Sequence, residues 1–172
     1  MKSGEKMKWS KNELYQQADV EIPFEAELKS IPSWFENIDH ILDITDIVVS
    51  GFIRYHYHSD MIQYHMRLTG NYTLPCAITL ETVVVPFDII EEDSMTIAEA
   101  LIEKNSFYSE EKGVDLFPLA IQVMIMEAPK KVIKKGIKKY PKGKDWEVIH
   151  EKDLQKKGSD PRLAKFKDFK PE

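Results

Sequence analysis

Apolar and polar residues alternate along three stretches of the chain, and a period of two is the mark of strands with one buried face. In residues 20–28, Val20, Ile22, Phe24, Ala26 and Leu28 alternate with Glu21, Pro23, Glu25 and Glu27. Proline has no N–H for a ladder, so Pro23 places this strand at a sheet edge or at a strand start. Ile47, Val49, Gly51, Ile53, Tyr55 and Tyr57 line one face of a second strand, and Ile62, Tyr64, Met66 and Leu68 one face of a third. A turn at Ser59-Asp60, or a four-residue loop with the same centre, pairs Tyr57 with Ile62, Tyr55 with Tyr64 and Ile53 with Met66. The two apolar faces then coincide, as a valid register requires. Gly70 marks a bulge or bend inside the third strand rather than its end. Residues 79–90, rich in Val and Ile and closing on Pro86-Phe87-Asp88, supply a fourth strand.

Helices are fewer. Ser10 and Glu13 have capping-box spacing, which predicts a helix start, and the strand from Val20 keeps that helix short. Residues 32–38 read as a helical turn or short helix. Residues 91–112 are acidic and weakly patterned. Ile97, Ala98, Leu101 and Ile102 have helical spacing there, and an acidic loop is the competing reading. Asp115 is placed to cap a helix over residues 116–127, with Pro118 tolerated in the first turn and Pro129 past the end. That helix is apolar on nearly every side and is expected to be buried against the sheet. A last strand is expected at residues 146–149. The pattern predicts an α+β fold: an antiparallel β-sheet, open or curled toward a barrel, packed with a buried helix from the C-terminal half and short peripheral helices.

The 172 residues, 42% of them hydrophobic, suit one domain with tails. No stretch approaches the ~20 apolar residues of a membrane span, and residues 1–6 have no apolar core of signal-peptide type. Cys76 is the only cysteine, so no internal disulfide can form, which fits a reducing, cytoplasmic setting. Charge changes the picture more. The net charge of -5 conceals a split: residues 130–172 hold 15 Lys+Arg against 7 Asp+Glu, a balance of +8, and the rest of the chain stands at -13. Such asymmetry suggests a polyanion-binding segment held on an acidic body.

The basic part begins with eight lysines and no acid in residues 130–144: Lys130, Lys131, Lys134, Lys135, Lys138, Lys139, Lys142 and Lys144. Each lysine that meets a phosphate releases counterions, so such a run binds RNA or DNA without base contacts. Tyr140 or Trp146 can add stacking on an unpaired base. The competing reading is a solvated basic segment lying on the acidic body. Three histidines form a second candidate: His56 and His58 share a face, and the register above puts His65 opposite Arg54 on that face. Three imidazoles can hold zinc, but Arg54 among them opposes a cation, so a polar sheet surface is the preferred reading and no metal or other cofactor is expected. No glycine-rich phosphate loop and no Gly-x-Ser-x-Gly is present. Cys76, between Leu74-Pro75 and Ala77-Ile78, reads as a packed residue rather than a nucleophile.

Several pieces together resemble the YceD-like family of large-ribosomal-RNA-subunit accumulation proteins, in its Gram-positive form. Met7-Lys8-Trp9-Ser10 resembles the family start. Gly70, Leu74-Pro75-Cys76 and Thr79-Leu80-Glu81 resemble its glycine, cysteine and Cys-x-Arg-Cys-Leu-Glu stretch. Asp115-Leu116, the apolar helix and Pro129 resemble its Asp-Leu … Pro segment. Asp160, Pro161, Arg162 and Leu163, followed by Ala164-Lys165-Phe166, resemble its closing motif. The matches keep their order from Met7 to about Phe169. The chain departs from the pattern at Ile78 and Thr79, where many members have Arg and a second Cys. The lysine tract also occupies the interval where many carry a cysteine cluster that looks metal-binding, so no zinc is carried over.

The resemblance implies a non-catalytic factor in ribosome biogenesis, partnered by ribosomal RNA or a large-subunit ribosomal protein, with no membrane and no small-molecule substrate. The alternatives are a module whose acidic face binds a basic protein and, last, a histidine-based metal enzyme. The resemblance also implies an extension at 1–6, and the charge split divides the rest into a core domain at 7–129 and a basic segment at 130–172. In that segment the Asp160–Leu163 motif is expected to dock on the core, Asp160 capping a short helix, Leu163 and Phe166 facing inward and Arg162 pairing with an acid; contact of Arg162 with RNA or a ribosomal protein is the competing reading.

Overall fold

The computed structural model describes residues 7–97, 108–109, 113–137 and 140–149. Strand β1 (Lys8–Trp9) leads into helix α1 (Lys11–Gln16). Ser10 Oγ accepts from the Glu13 N–H at 3.3 Å, and the Ser10 N–H donates to the Glu13 carboxylate at 2.7 Å, closing the expected capping box. β2 (Ile22–Leu28) and a 3-10 turn (Pro32–Trp34) follow. Then come three long strands, β3 (Asp43–His56), β4 (Met61–Pro75) and β5 (Thr82–Thr96). β6 (Tyr108–Ser109), β7 (Gly113–Asp115) and α2 (Phe117–Glu127) follow among the described residues.

The fold is α+β, as the patterning predicts. One antiparallel sheet runs β2-β3-β4-β5 and a small one β1-β7-β6. The large sheet is open, not closed into a barrel, with β2 and β5 at its edges. Pro23 lies in edge strand β2, opposite Phe52.

The hairpin differs from expectation by two residues. Tyr55 pairs with Ile62, Ile53 with Tyr64 and Gly51 with Met66, because the loop is Tyr57-His58-Ser59-Asp60 rather than one centred on Ser59-Asp60. Asp60 adopts φ 49° there, and its carboxylate accepts from the Tyr55 hydroxyl at 2.6 Å. A slip of two leaves every side chain on its face, so the apolar pattern is blind to it. Tyr57 alone leaves the face and is 63% exposed.

Gly70 lies inside β4, as expected, and the bulge is in the strand beside it. The β3–β4 register shifts between Thr45 and Val48, so Asp46 and Ile47 together oppose Gly70. Asp46 takes φ 53° and accepts from Asn71 Nδ2 at 3.0 Å. The extra residue changes the phase of the strand, which is why Ile44 and Ile47 are both buried although three positions apart.

β5 runs on to Thr96, through acidic residues read above as helix or loop. Backbone pairing carries it, Glu91 opposite Met66 and Asp93 opposite Tyr64. Ladder bonds need no apolar side chain, and charges on an edge strand discourage edge-to-edge pairing. The helix expected around residues 97–102 lies outside the described residues except for Ile97, which is buried.

One face of the sheet carries the core: Phe24, Ala26 and Leu28 from β2, Val49, Ile53 and Tyr55 from β3, and Ile62, Tyr64, Met66, Leu68, Tyr72 and Leu74 from β4. Leu14 of α1, Trp9 of β1, Val114 of β7 and Ala120 and Met124 of α2 join it. Helix α2 starts one residue later than expected; Asp115 Oδ1 still accepts the Phe117 N–H at 3.1 Å. Ala120, Val123 and Met124 of α2 are buried and Phe117, Leu119, Ile121 and Ile125 pack half-buried against the core, leaving a narrow exposed strip at Gln122, Met126 and Glu127, where Met126 is 71% exposed.

The β4–β5 loop carries a conformational cost. Leu80 has φ 59°, a left-handed conformation unfavourable for a side chain, and is 78% exposed. Leu80→Gly is therefore expected to raise stability by about 0.5–1 kcal/mol, read as a higher urea midpoint at constant m. An unchanged or lower midpoint would mean that the leucine side chain has a compensating contact.

Candidate nucleic-acid interface

Helix α2 ends at Glu127 and the lysine tract begins two residues after buried Ala128. The tract does not trail away. Val132 is half-buried against the core and forms a parallel bridge with Cys76. The Ala77 N–H donates to the Val132 carbonyl at 2.8 Å, and the Lys134 N–H donates to Cys76 Sγ at 3.4 Å. Lys134 Nζ reaches the Glu81 carboxylate at 2.8 Å. The pair raises the proton affinity of Lys134 and lowers that of Glu81. Both side chains are about half exposed, so water and salt screen the ion pair and it contributes little. The backbone bonds therefore do most to hold this stretch.

Cys76 is fully buried, and the Lys134 N–H with Thr79 holds its thiol down to about 7. It is packed, as the sequence suggests, and it also fastens the tract to the β4–β5 loop. Sequence reasoning did not identify that role, because the partners lie 58 positions apart. Asp115 fastens another junction, at the start of α2, and stands 4.0 Å from Lys8 Nζ.

Beyond Lys134 the chain turns at Gly136, whose φ of 80° suits glycine. The strand expected at residues 146–149 is absent. Instead, Lys142 bridges Glu147, the Gly143 N–H donates to the Trp146 carbonyl at 2.7 Å, and the Val148 N–H to the Pro141 carbonyl at 3.0 Å. The small loop folds the Trp146 indole over Gly143, with Trp146 59% exposed between Lys142 and Lys144. A depression of about 400 Å³ opens there. Lys130, Lys131, Lys135, Lys142 and Lys144 are exposed, and Lys134 is tied to Glu81. Lys138 and Lys139, and the Asp160, Pro161, Arg162 and Leu163 motif, lie outside the described residues.

The histidines do not converge. His65 stands opposite Phe52, not Arg54, and stacks on it with centroids 5.5 Å apart. His56 contacts Gln63 at 3.3 Å and Asp19 at 3.4 Å, and His58 is in the exposed loop beside Tyr57. The two-residue register shift is the reason. Among the described residues, no three His, Cys, Asp or Glu side chains are placed to hold a metal ion, and no helix is long and apolar enough to cross a membrane.

Comparison with known proteins adds an identity to this geometry. Residues 64–170 match the family model described as large ribosomal RNA subunit accumulation protein YceD. The chain is 27% identical over 165 residues to the uncharacterized protein YlbN of Bacillus subtilis (strain 168), covering 92% of this chain and 93% of that protein. No solved structure matches. The family match runs from β4 through the Cys76 loop, α2 and the lysine tract, more than half of the chain, so this chain belongs to the YceD family, whose name ties it to accumulation of large-subunit ribosomal RNA.

Proposed function

We propose that this protein is a non-catalytic, cytoplasmic factor in large ribosomal RNA accumulation and that it holds RNA through the lysine tract. The observation that carries this reading is the fastening of residues 132–134 to the Cys76 loop. A tract held at one end presents its charges from a defined place, with less chain entropy to lose on binding than a free tail. Lys130, Lys131 and Lys135 flank the fastened stretch. Lys142, Lys144 and exposed Trp146 form a second group, suited to stacking an unpaired base more than to gathering phosphates, because Asp145 and Glu147 line the same depression. The acidic body repels RNA elsewhere and so orients the encounter.

Binding to a large-subunit ribosomal RNA fragment, titrated at several salt concentrations, tests this. Replacing Lys130, Lys131, Lys135, Lys142 and Lys144 by Gln is expected to weaken binding on the order of tenfold or more, and to make the log–log salt slope shallower by up to about 3.5 if all five meet phosphates of a single strand. Trp146→Ala is expected to cost about 1–3 kcal/mol with little change in slope. Affinity and slope unchanged in the five-lysine variant would remove the tract from the RNA interface.

A further inference from the structure

The four-stranded sheet has a second face, opposite the core. The register sets its side chains in rows: Pro23, Phe52, His65 and Glu92; then Glu25, Ser50, Arg67 and Ile90; then Glu27, Val48, Thr69 and Asp88. The core cluster contains none of these residues. The described helices contribute to that cluster, so among the described residues no helix covers this face. Yet the face is not simply polar. Phe52 sits in its middle, stacked on His65 with an interplanar angle of 7°, and Ile90 is 61% exposed nearby. A shallow depression of about 320 Å³ lies beside the stacked pair, bounded also by Gln63, Glu92 and Ser94.

Charge narrows the choice of occupant. The face carries Glu21, Glu25, Glu27, Asp88 and Glu92 against Arg54 and Arg67. Both arginines are already matched on the face: Arg54 reaches Glu21 at 2.6 Å, and Arg67 holds Asp88 through two bonds of 2.7 and 2.6 Å. The carboxylates of Glu25 and Glu92 repel phosphate and attract a cation. A guanidinium stacks on aromatic rings and bonds a carboxylate through two parallel N–H groups, and Phe52, His65 and Glu92 place those two features in one row.

We propose that this face binds an extended Arg/Lys-rich segment of another protein. The site is separate from the lysine tract. His65 and Cys76 are eleven residues apart in the chain, which corresponds to about 36 Å along an extended strand. The inference does not rest on the RNA reading, and a protein with both sites can hold a basic protein and an RNA at once.

The test titrates the full chain with a fluorescent ten-residue peptide of alternating Arg and Lys, read by anisotropy and mapped by amide chemical shifts. The peptide is expected to shift amides around Phe52, His65 and Glu92, with affinity falling as salt rises. Glu25→Lys with Glu92→Lys is expected to weaken binding roughly tenfold or more. The milder Glu25→Gln with Glu92→Gln pair should weaken it severalfold and guards against misfolding of the charge-reversed variant. Phe52→Leu should weaken it severalfold, and Glu36→Lys, an exposed change off this face, should leave it unchanged. Binding insensitive to the glutamate variants, shifts confined to another surface, or absence of binding would overturn the proposal. So would a uridine-rich RNA oligonucleotide that shifts the Phe52 and His65 amides, or sedimentation showing that a second copy of the chain occupies the face.

Discussion

Gly51→Ala is expected to destabilise the protein by on the order of 3–5 kcal/mol, enough to unfold a domain of ordinary stability. Gly51 interrupts the apolar series of β3, between Val49 and Ile53, and pairs with Met66 on one side and Phe24 on the other. A methyl group built there overlaps the His65 carbonyl oxygen and stands 2.9 Å from its carbon and 3.1 Å from Met66 Cα. These are backbone atoms of a central strand, so no side-chain rotation relieves the clash. β3 and β4 must part where Ile53, Tyr64, Met66 and Leu68 have almost no exposure. The loss of their packing supplies the magnitude. Urea unfolding followed by the fluorescence of Trp9, itself 7% exposed, measures it. A midpoint within experimental error of the parent's would show that the two strands can separate there at little cost.

Tyr72→Ala is expected to cost about 3–5 kcal/mol, and Tyr72→Phe about 1–2 kcal/mol. Tyr72 is 1% exposed on β4. Its ring stacks on Phe87 of β5 at 4.4 Å, and its hydroxyl donates to the Met124 carbonyl of α2 at 2.6 Å. One side chain thus joins the sheet to the helix that precedes the lysine tract. Alanine leaves a cavity and an orphaned carbonyl; phenylalanine leaves only the carbonyl. Burial, with the charge of Glu127 adding to it, pushes the phenol up to about 12. The unfolded chain therefore loses this proton first as pH rises above 10, so this group's contribution to stability is complete below that pH and declines between about 10 and 12. Tyr72→Phe should remove that part of the alkaline decline, which unfolding curves at pH 9 and pH 11 would reveal. An identical decline in the variant would assign it to other tyrosines.

Much of the fold was legible because it is local. The Ser10–Glu13 cap needs only a spacing of three, and the edge position of β2 needs only Pro23 and the acidic alternation. The core faces of β3 and β4 follow from which residues are apolar. The end of α2 follows from Pro129. The candidate site was legible in a weaker sense. Eight lysines without an acid are visible as composition, and Trp146 as an aromatic beside them. The order along the chain of the Met-Lys-Trp-Ser start and the glycine, cysteine, Asp-Leu and Asp-Pro-Arg pieces, apart from the lysines, was sufficient to indicate the family.

What the sequence by itself determined is therefore the class of the fold, the sign of its two electrostatic halves and the inward or outward sense of most strand residues. The tertiary structure alone decided the register, because a period of two cannot distinguish pairings that differ by two residues, and the Asp60 turn chose between them. It also decided that β3 bulges at Asp46–Ile47 and that β5 continues through acidic residues, since backbone ladders form without apolar side chains. And it decided what the lysines do. Lys134 is held by Cys76 and Glu81, more than fifty positions away, while Lys130, Lys131, Lys135, Lys142 and Lys144 face water. Contacts at that separation depend on how the strands and helix are assembled, and no local pattern of charge or hydropathy encodes them.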